Sequence, residues 1–364
     1  MEPQEILQEL VFVLLYGGVI MLNVVAALYL LLRRGNAIAP EVTSPVRLRR
    51  WAAAFMVASA LSHIYWPLYA YHPTSTVYVL VCGLDMLVLF PTIAGVLLSM
   101  LQDQHRVVWP VVVLLIPAFV MMSLSLIRGD ESLYTLITLY VFALYALLIL
   151  YVFFAVRQYR RWLRDNYADL ENKEIWQSLL ILAVFLLFFV MYSSTTESAH
   201  ILAYLLQIDC IIIVVLLLWR VETLQQLSEN TPLEAEPAED AQNTSVQQAI
   251  PSSIGPLLKK QCEEGQLYLQ HDLTLAQLAQ TIGTNRYYLS QHFAQQGLTY
   301  NAYINGLRVK HFVRLYHEAV ADQRIFTAQQ LAFESGFHSY STFSATFKQN
   351  MGMPVTRWMR DAEE

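Results

Sequence analysis

The chain has 364 residues, of which 56% are hydrophobic and 14% charged, with a mean hydropathy of +0.40 and a formal net charge of −6. Ordinary globular chains carry about 25% charged residues, so the whole cannot be one soluble domain, and the net charge averages two different solvents. Cys82, Cys210 and Cys262 show no CxxC or Cys/His spacing, which excludes a disulfide framework and a cysteine metal site.

Seven apolar runs come first, at about 10–32, 51–71, 77–100, 107–127, 133–156, 175–195 and 200–220. A hydrocarbon core about 30 Å thick needs roughly 20 apolar helical residues to cross it, and inside it only helices and closed barrels satisfy their backbone. Seven such runs in succession predict a seven-helix transmembrane bundle over residues 1–220. The first run ends in Arg33-Arg34 and has no basic segment before it, so it reads as a span rather than a cleaved signal. Trp51, Trp66, Trp109, Trp176 and Trp219 at run ends fit an interfacial belt.

Orientation follows the basic residues. Arg33, Arg34, Arg47, Arg49 and Arg50 lie in the first loop, Arg106 in the third, and Arg157, Arg160, Arg161, Arg164 and Lys173 in the fifth; only Arg128 opposes them. The N-terminus is therefore expected outside and everything after Arg220 in the cytoplasm.

Within the runs, Asn23, His63, Asp85 and Asp209 are the polar residues at depth. Ionisable groups there are costly and point to function, so they are candidates for an intramembrane sensing site. The other reading is interhelical hydrogen-bond glue, worth about 0.6–2 kcal/mol each. Glu197, His200 and His72 with Tyr65, Trp66, Tyr69 and Tyr192 form a weaker candidate for an outward pocket.

Residues 221–255 read as a flexible acidic linker: "SENTPLEAEPAEDAQNTS" has no Lys or Arg and too few large apolar residues to fold. From 256 to 364 the pattern is that of an all-α globular domain. Two segments repeat in it, "LTLAQLAQTIGTNRYYLSQHFAQQ" (273–296) and "FTAQQLAFESGFHSYSTFSATFKQ" (326–349). In each, a Leu-Ala helix ends at a glycine, Ala279 to Gly283 and Ala332 to Gly336, which suits a tight turn. A second helix follows, anchored by Leu289 and Phe293 or by Phe343 and Phe347. This predicts two helix-turn-helix units, whose second helices enter the major groove.

The residues that carry a family likeness are Leu331-Ala332, Ser335-Gly336-Phe337, Ser339, Phe343, Phe347-Lys348, Gly352, Pro354 and Trp358. On these, residues 256–362 resemble the DNA-binding domain of AraC/XylS transcription regulators. The resemblance implies two recognition helices in successive major grooves, a bacterial cell, and double-stranded DNA as partner. Asn285, Arg286, Tyr287, Ser290 and Gln291 of the first unit, and His338, Ser339, Tyr340, Ser344, Ala345 and Lys348 of the second, are the expected DNA contacts. From 257 onward ten Lys and Arg meet nine Asp and Glu, so phosphate attraction is expected to be modest. His271, His292, His311, His317 and His338 are candidates to add charge.

No nucleotide loop, nucleophile elbow, kinase signature or metal-spaced cluster occurs, so neither an enzyme nor a cofactor or metal site is expected. The reading is a multi-pass regulator of the bacterial cytoplasmic membrane, in contact with lipid, that dimerises on DNA. Its signal is an unidentified small molecule, ion or membrane protein. The alternative is a transporter, or a docking site for a membrane partner, that also regulates.

Overall fold

The computed structural model describes residues 3–33, 35–128, 133–171, 173–175, 179, 199–227 and 254–363. Among the described residues the regular elements are all helices, with no strand; one isolated antiparallel bridge joins Tyr167 and Thr274. The chain divides into two compact units, Met1–Tyr159 with Ile175–Ser228, and Arg160–Glu174 with Glu229–Glu364. Part of the fifth loop thus belongs with the C-terminal residues.

The first unit holds α1 (Pro3–Leu32), α2 (Val46–Tyr71), α3 (Ser75–Ser99), α4 (Trp109–Arg128), most of α5 (Tyr134–Asn166) and α6 (Ala199–Thr223). Five of these are long and apolar enough to cross a membrane: α1 over Glu9–Leu32, α3, α4, α5, and α6 over Ala203–Thr223. The expected count of seven differs for two reasons. The sixth run lies almost wholly outside the described residues, and α2 is diluted by Ser59, Ser62, His63, Tyr65, Trp66 and Pro67.

That dilution has a packing cause. α2 lies against both α1 and α3, and α6 packs on α1 and α2. Its buried alanines, Ala52, Ala53, Ala58 and Ala60, let neighbouring helices approach closely. Trp51 is drawn inward as well: a Cβ on Gly95 would overlap its ring, so the missing side chain makes its seat. Trp109 and Trp219 stay exposed, as a belt requires. α4 and α5 present Val113, Ile116, Leu147, Leu150 and Phe154 outward, an apolar exterior suited to lipid rather than water.

At the end of α6, the buried carboxylate of Glu222 accepts the backbone N–H groups of Ala37 and Ile38, at 2.9 and 2.7 Å, and the Tyr29 hydroxyl. Asn36 donates to Val42 O and Glu222 O and accepts from Ser44 and Arg49. These bonds fold the first loop onto the α6 terminus. Leu224 and Leu227, at the start of the expected linker, are buried. Residues 228–253 of that linker lie outside the described residues.

In the second unit, Ile254–Leu257 runs into a π-helical turn, Leu258–Glu264, followed by a 3₁₀ turn, Leu267–Leu269. Then come α7 (Leu275–Thr281), α8 (Arg286–Gln295), α9 (Tyr300–Ala321), α10 (Ala328–Glu334), α11 (Tyr340–Met351) and α12 (Val355–Glu363). Two cores result. One gathers Leu275, Leu278, Leu289, Phe293, Tyr300 and Ile304, and the other Phe312, Leu331, Phe337, Phe343, Phe347 and Val355. The helix α9 supplies residues to both, so its 22 residues, about 33 Å of helix, join the two halves.

Candidate nucleic-acid interface

The two halves are built by the same local chemistry. Thr274 and Thr327 cap α7 and α10, and each forms a capping box with a glutamine three residues on. Gln277 N donates to Thr274 Oγ1 at 3.2 Å while Thr274 N donates to Gln277 Oε1 at 2.8 Å; the Thr327–Gln330 pair repeats this at 3.1 and 2.9 Å. Ala279 and Ala332 are fully buried at the helix crossings.

Each first helix ends in the same turn. Gly283 has φ +72° and Gly336 φ +87°, the left-handed region open to glycine. The following amides reach back five residues, Thr284 N to Ala279 O at 2.9 Å and Phe337 N to Ala332 O at 3.2 Å, which satisfies the terminal carbonyls. From there the halves diverge by one residue. Asn285, directly after Thr284, caps α8, whereas His338 intervenes between Phe337 and Ser339, the cap of α11. Asn285 and Ser339 accept from Tyr288 N and Thr342 N.

The second helices are held by their inner faces. Leu289, Phe293, Phe343 and Phe347 are at most 2% exposed, so their outer faces are fixed in orientation. Asn285, Tyr287, His338, Ala345 and Lys348 are exposed, while Arg286, Ser290, Gln291, Ser339, Tyr340 and Ser344 are half-buried. Gln291 Nε2 donates to the Tyr287 hydroxyl at 2.6 Å, so these two move as a pair. Tyr340 leans its ring on Phe343 and packs against the second core. Ser341, missed in the sequence, is exposed, and its hydroxyl lies 3.0 Å from that of Ser339. Its place one turn before Ala345 on the outer face was the available signal.

Two groups alter the electrostatics expected from the sequence. Arg308, 1% exposed, donates to Tyr268 O at 2.8 Å, Gln270 O at 2.7 Å and Asn305 Oδ1 at 3.3 Å. It is a structural cation and offers nothing to phosphate. His311 was expected among the residues able to add charge, but burial, and then Arg314, hold its pKa below the ordinary value. Its Nδ1 meets the Tyr268 hydroxyl at 2.8 Å and Arg314 Nη2 at 3.2 Å, two donors that an unprotonated nitrogen accepts. Cys262 is fully buried and its thiol is pushed up to about 12 by that burial, which keeps it unreactive.

The family model described as a helix-turn-helix domain matches residues 278–361. The C-terminal region carries an AraC-type helix-turn-helix domain. The match begins inside α7 and ends inside α12, so it takes in both α8 and α11. It supports a DNA-binding regulator. No curated protein and no solved structure matches the chain.

The four candidates within the apolar runs have different immediate hydrogen-bond partners. His63 Nδ1 donates to Ser59 O at 2.8 Å, and Nε2 lies 3.2 Å from Gln207 Oε1; Tyr16 donates to His63 O at 2.6 Å. His63 therefore joins α1, α2 and α6. Asp85 of α3 accepts from the Tyr65 hydroxyl and from Trp66 Nε1 of α2, the latter at 2.6 Å. Asn23 donates to Val19 O in its own helix. Asp209 is 3% exposed and neither of its carboxylate oxygens is hydrogen-bonded. Gln207 was missed, although a glutamine two residues before Asp209 in an apolar run was a visible signal.

Around the weaker outward candidate, Trp66, Tyr69 and Tyr78 form an aromatic cluster with centroids 5.3–6.4 Å apart. Tyr192, Glu197 and the side chain of His200 lie outside the described residues. Among the described residues no group of three or more His, Cys, Asp or Glu is placed to hold a metal.

Proposed function

We propose that this chain is a membrane-embedded one-component transcription regulator, which binds DNA through α8 and α11 under the control of its apolar helices. The observation that carries the reading is the paired construction of the two halves: the same capping box, buried alanine and left-handed glycine, each presenting a fixed polar helix face. Five apolar helices in the same chain support insertion in a membrane. The basic bias of the first, third and fifth loops supports a cytoplasmic C-terminus. α9, which contributes to both cores, joins the two halves in one domain, and this suits two recognition helices presented together to a duplex. The near-balance of charge means that a single copy binds modestly, and two copies confined to one membrane raise the effective concentration.

The test is genome-wide crosslinking and immunoprecipitation of the full-length chain beside an Arg286→Ala/Lys348→Ala variant. Discrete sites lost in the variant are the expected result; no enrichment in any growth condition ends the reading. Sensing is assigned to the polar contacts at His63 and Asp85. His63→Gln and Asp85→Asn should each shift occupancy severalfold, and unchanged occupancy in both would remove that role.

A further inference from the structure

The AraC-type domain has a core member that its own sequence does not supply. Ala168, from the fifth loop, is 1% exposed and packs in the same cluster as Leu273, Leu275, Leu278, Tyr300 and Ile304. The backbone around it is held on both sides. Ala168 N donates to Leu273 O at 3.4 Å, and Tyr167 bridges antiparallel to Thr274, the cap of α7. On the other side Asn301 Nδ2 donates to Tyr167 O at 3.3 Å and to Ala168 O at 2.6 Å, and Asn305 Nδ2 donates to Ala168 O at 2.9 Å.

The polar partners of this contact are themselves fixed. Asn305 is 3% exposed, and its Oδ1 accepts from the buried Arg308. Lys173, 4% exposed in its side chain, ends the segment with Nζ 3.5 Å from Asp272 Oδ1 and over the Tyr167 ring at 5.7 Å. Within the segment, Arg160 and Glu174 stand 3.8 Å apart, so its two ends are linked by charge. Tyr167 also lies within electrostatic range of Arg286, the first residue of α8. A solvent loop needs none of this. Two asparagines spending their amide donors on one strand of backbone, beneath an alanine without access to water, is the construction of a built binding groove.

We propose that residues 160–174 are the input arm of the DNA-binding domain: a segment between the fifth and sixth apolar runs that docks on the first helix-turn-helix and conveys the state of the membrane helices to it. The expected linker, 221–255, then serves as a tether, and the command travels by the fifth loop. Docking completes the first core and steadies the start of α7, so release of the arm loosens α8 while leaving α11 in place. The functional half of this inference rests on the regulator reading above; the docking itself does not.

The experiment uses the full-length chain in native membranes. Tyr167→Cys with Thr274→Cys is introduced together with a protease site in the linker near residue 240. Opposed residues in an antiparallel bridge hold their Cβ atoms about 4.5–5.5 Å apart, close to disulfide reach. After oxidation and cleavage the two pieces should stay joined on a non-reducing gel, while Tyr167→Cys alone separates. Asn301→Ala/Asn305→Ala, which removes the donors to the arm, should lower crosslinking roughly tenfold and reduce DNA occupancy severalfold at unchanged membrane content. Lys173→Glu, which reverses the charge facing Asp272, should move both readouts in the same direction by about two- to threefold. Absent crosslinking in the double-cysteine chain, or unchanged occupancy in both variants that release the arm, overturns the proposal. If the parent chain occupies no DNA, the regulator reading falls instead, and crosslinking alone decides the docking.

Discussion

The first helix-turn-helix closes its core with Ala168, brought from far upstream, and the second closes its core with Val355, Trp358 and Met359, which follow α11 directly. Both use the same Thr cap, the same Gln three residues later and the same left-handed glycine. The motif therefore fixes the angle of the turn but not the origin of the residues that roof it. A locally roofed half is complete once its own stretch of chain is made. A half roofed from elsewhere depends on the placement of another segment, and that dependence is a handle for control.

The sharpest way to break the comparison is to empty each core. Phe347→Ala and Phe293→Ala should each cost about 3–5 kcal/mol, read as thermal unfolding of the detergent-solubilised full chain. Phe347, ringed by Phe312, Phe343 and Trp358 with centroids 5.4–5.5 Å away, should cost the more. An equal or larger loss at Phe293 would mean that the first core is the tighter of the two.

The glycines separate the halves further. A Cβ on Gly336 would sit 2.8 Å from the Leu269 backbone as well as suffering its φ of +87°, whereas Gly283 has open space around it. Gly283→Ala should cost about 1–2 kcal/mol from backbone strain alone, and Gly336→Ala clearly more, seen as a larger fall in melting temperature. Equal effects would deny the close approach of Leu269. The caps should differ slightly: Thr327→Ala is expected to cost about 1 kcal/mol and Thr274→Ala less, because the bridge to Tyr167 also supports the start of α7; equal melting shifts would deny that support.

The smallest expected effect is a pH dependence on one side only. His311 packs with the Tyr268 hydroxyl, and burial first, then Arg314, lowers its pKa in the folded state. The unfolded value is about 6.5, so the folded chain binds fewer protons near that pH. The contribution of neutral His311 is complete above about pH 6.5 and is lost as pH falls below it. The melting temperature should therefore fall between pH 7 and pH 5, and His311→Gln should flatten part of that slope. An unaltered slope in the variant would assign the effect elsewhere.

How much was legible in the chain follows from where each signal resides. Helix caps, the Ala-to-Gly spacing and the aromatic anchors are local, so both helix pairs and their buried anchors could be read directly, whereas Tyr340, expected to face outward, packs on the second core. Long apolar runs are local too, although α2 shows that a helix packed against several others tolerates Ser, His and Pro that weaken its apolar pattern. Tertiary placements were not legible. Nothing in "NYADLENKE" distinguishes a cytoplasmic loop from a core member, because Ala168 acts through its small size and its backbone. The burial of Arg308 was hidden for the same reason: its partners are backbone carbonyls of Tyr268 and Gln270, which carry no sequence signature. Gln207 and Tyr65 likewise gain meaning only beside His63 and Asp85.

The bond from Asn305 to Ala168 spans 137 residues. Contacts that distant form late, because the intervening chain must be closed into a loop first. Synthesis delivers the fifth loop long before α9 exists, so Ala168 has to wait, on the correct side of the membrane, for its partner to be made. If one of the two apolar runs between them, 175–195 or 200–220, failed to span, the alanine and its partners would lie on opposite sides, and the first helix-turn-helix would lack a roof. On the regulator reading proposed above, the arrangement would act as a check on topology during assembly, since only correctly threaded copies could complete the first core.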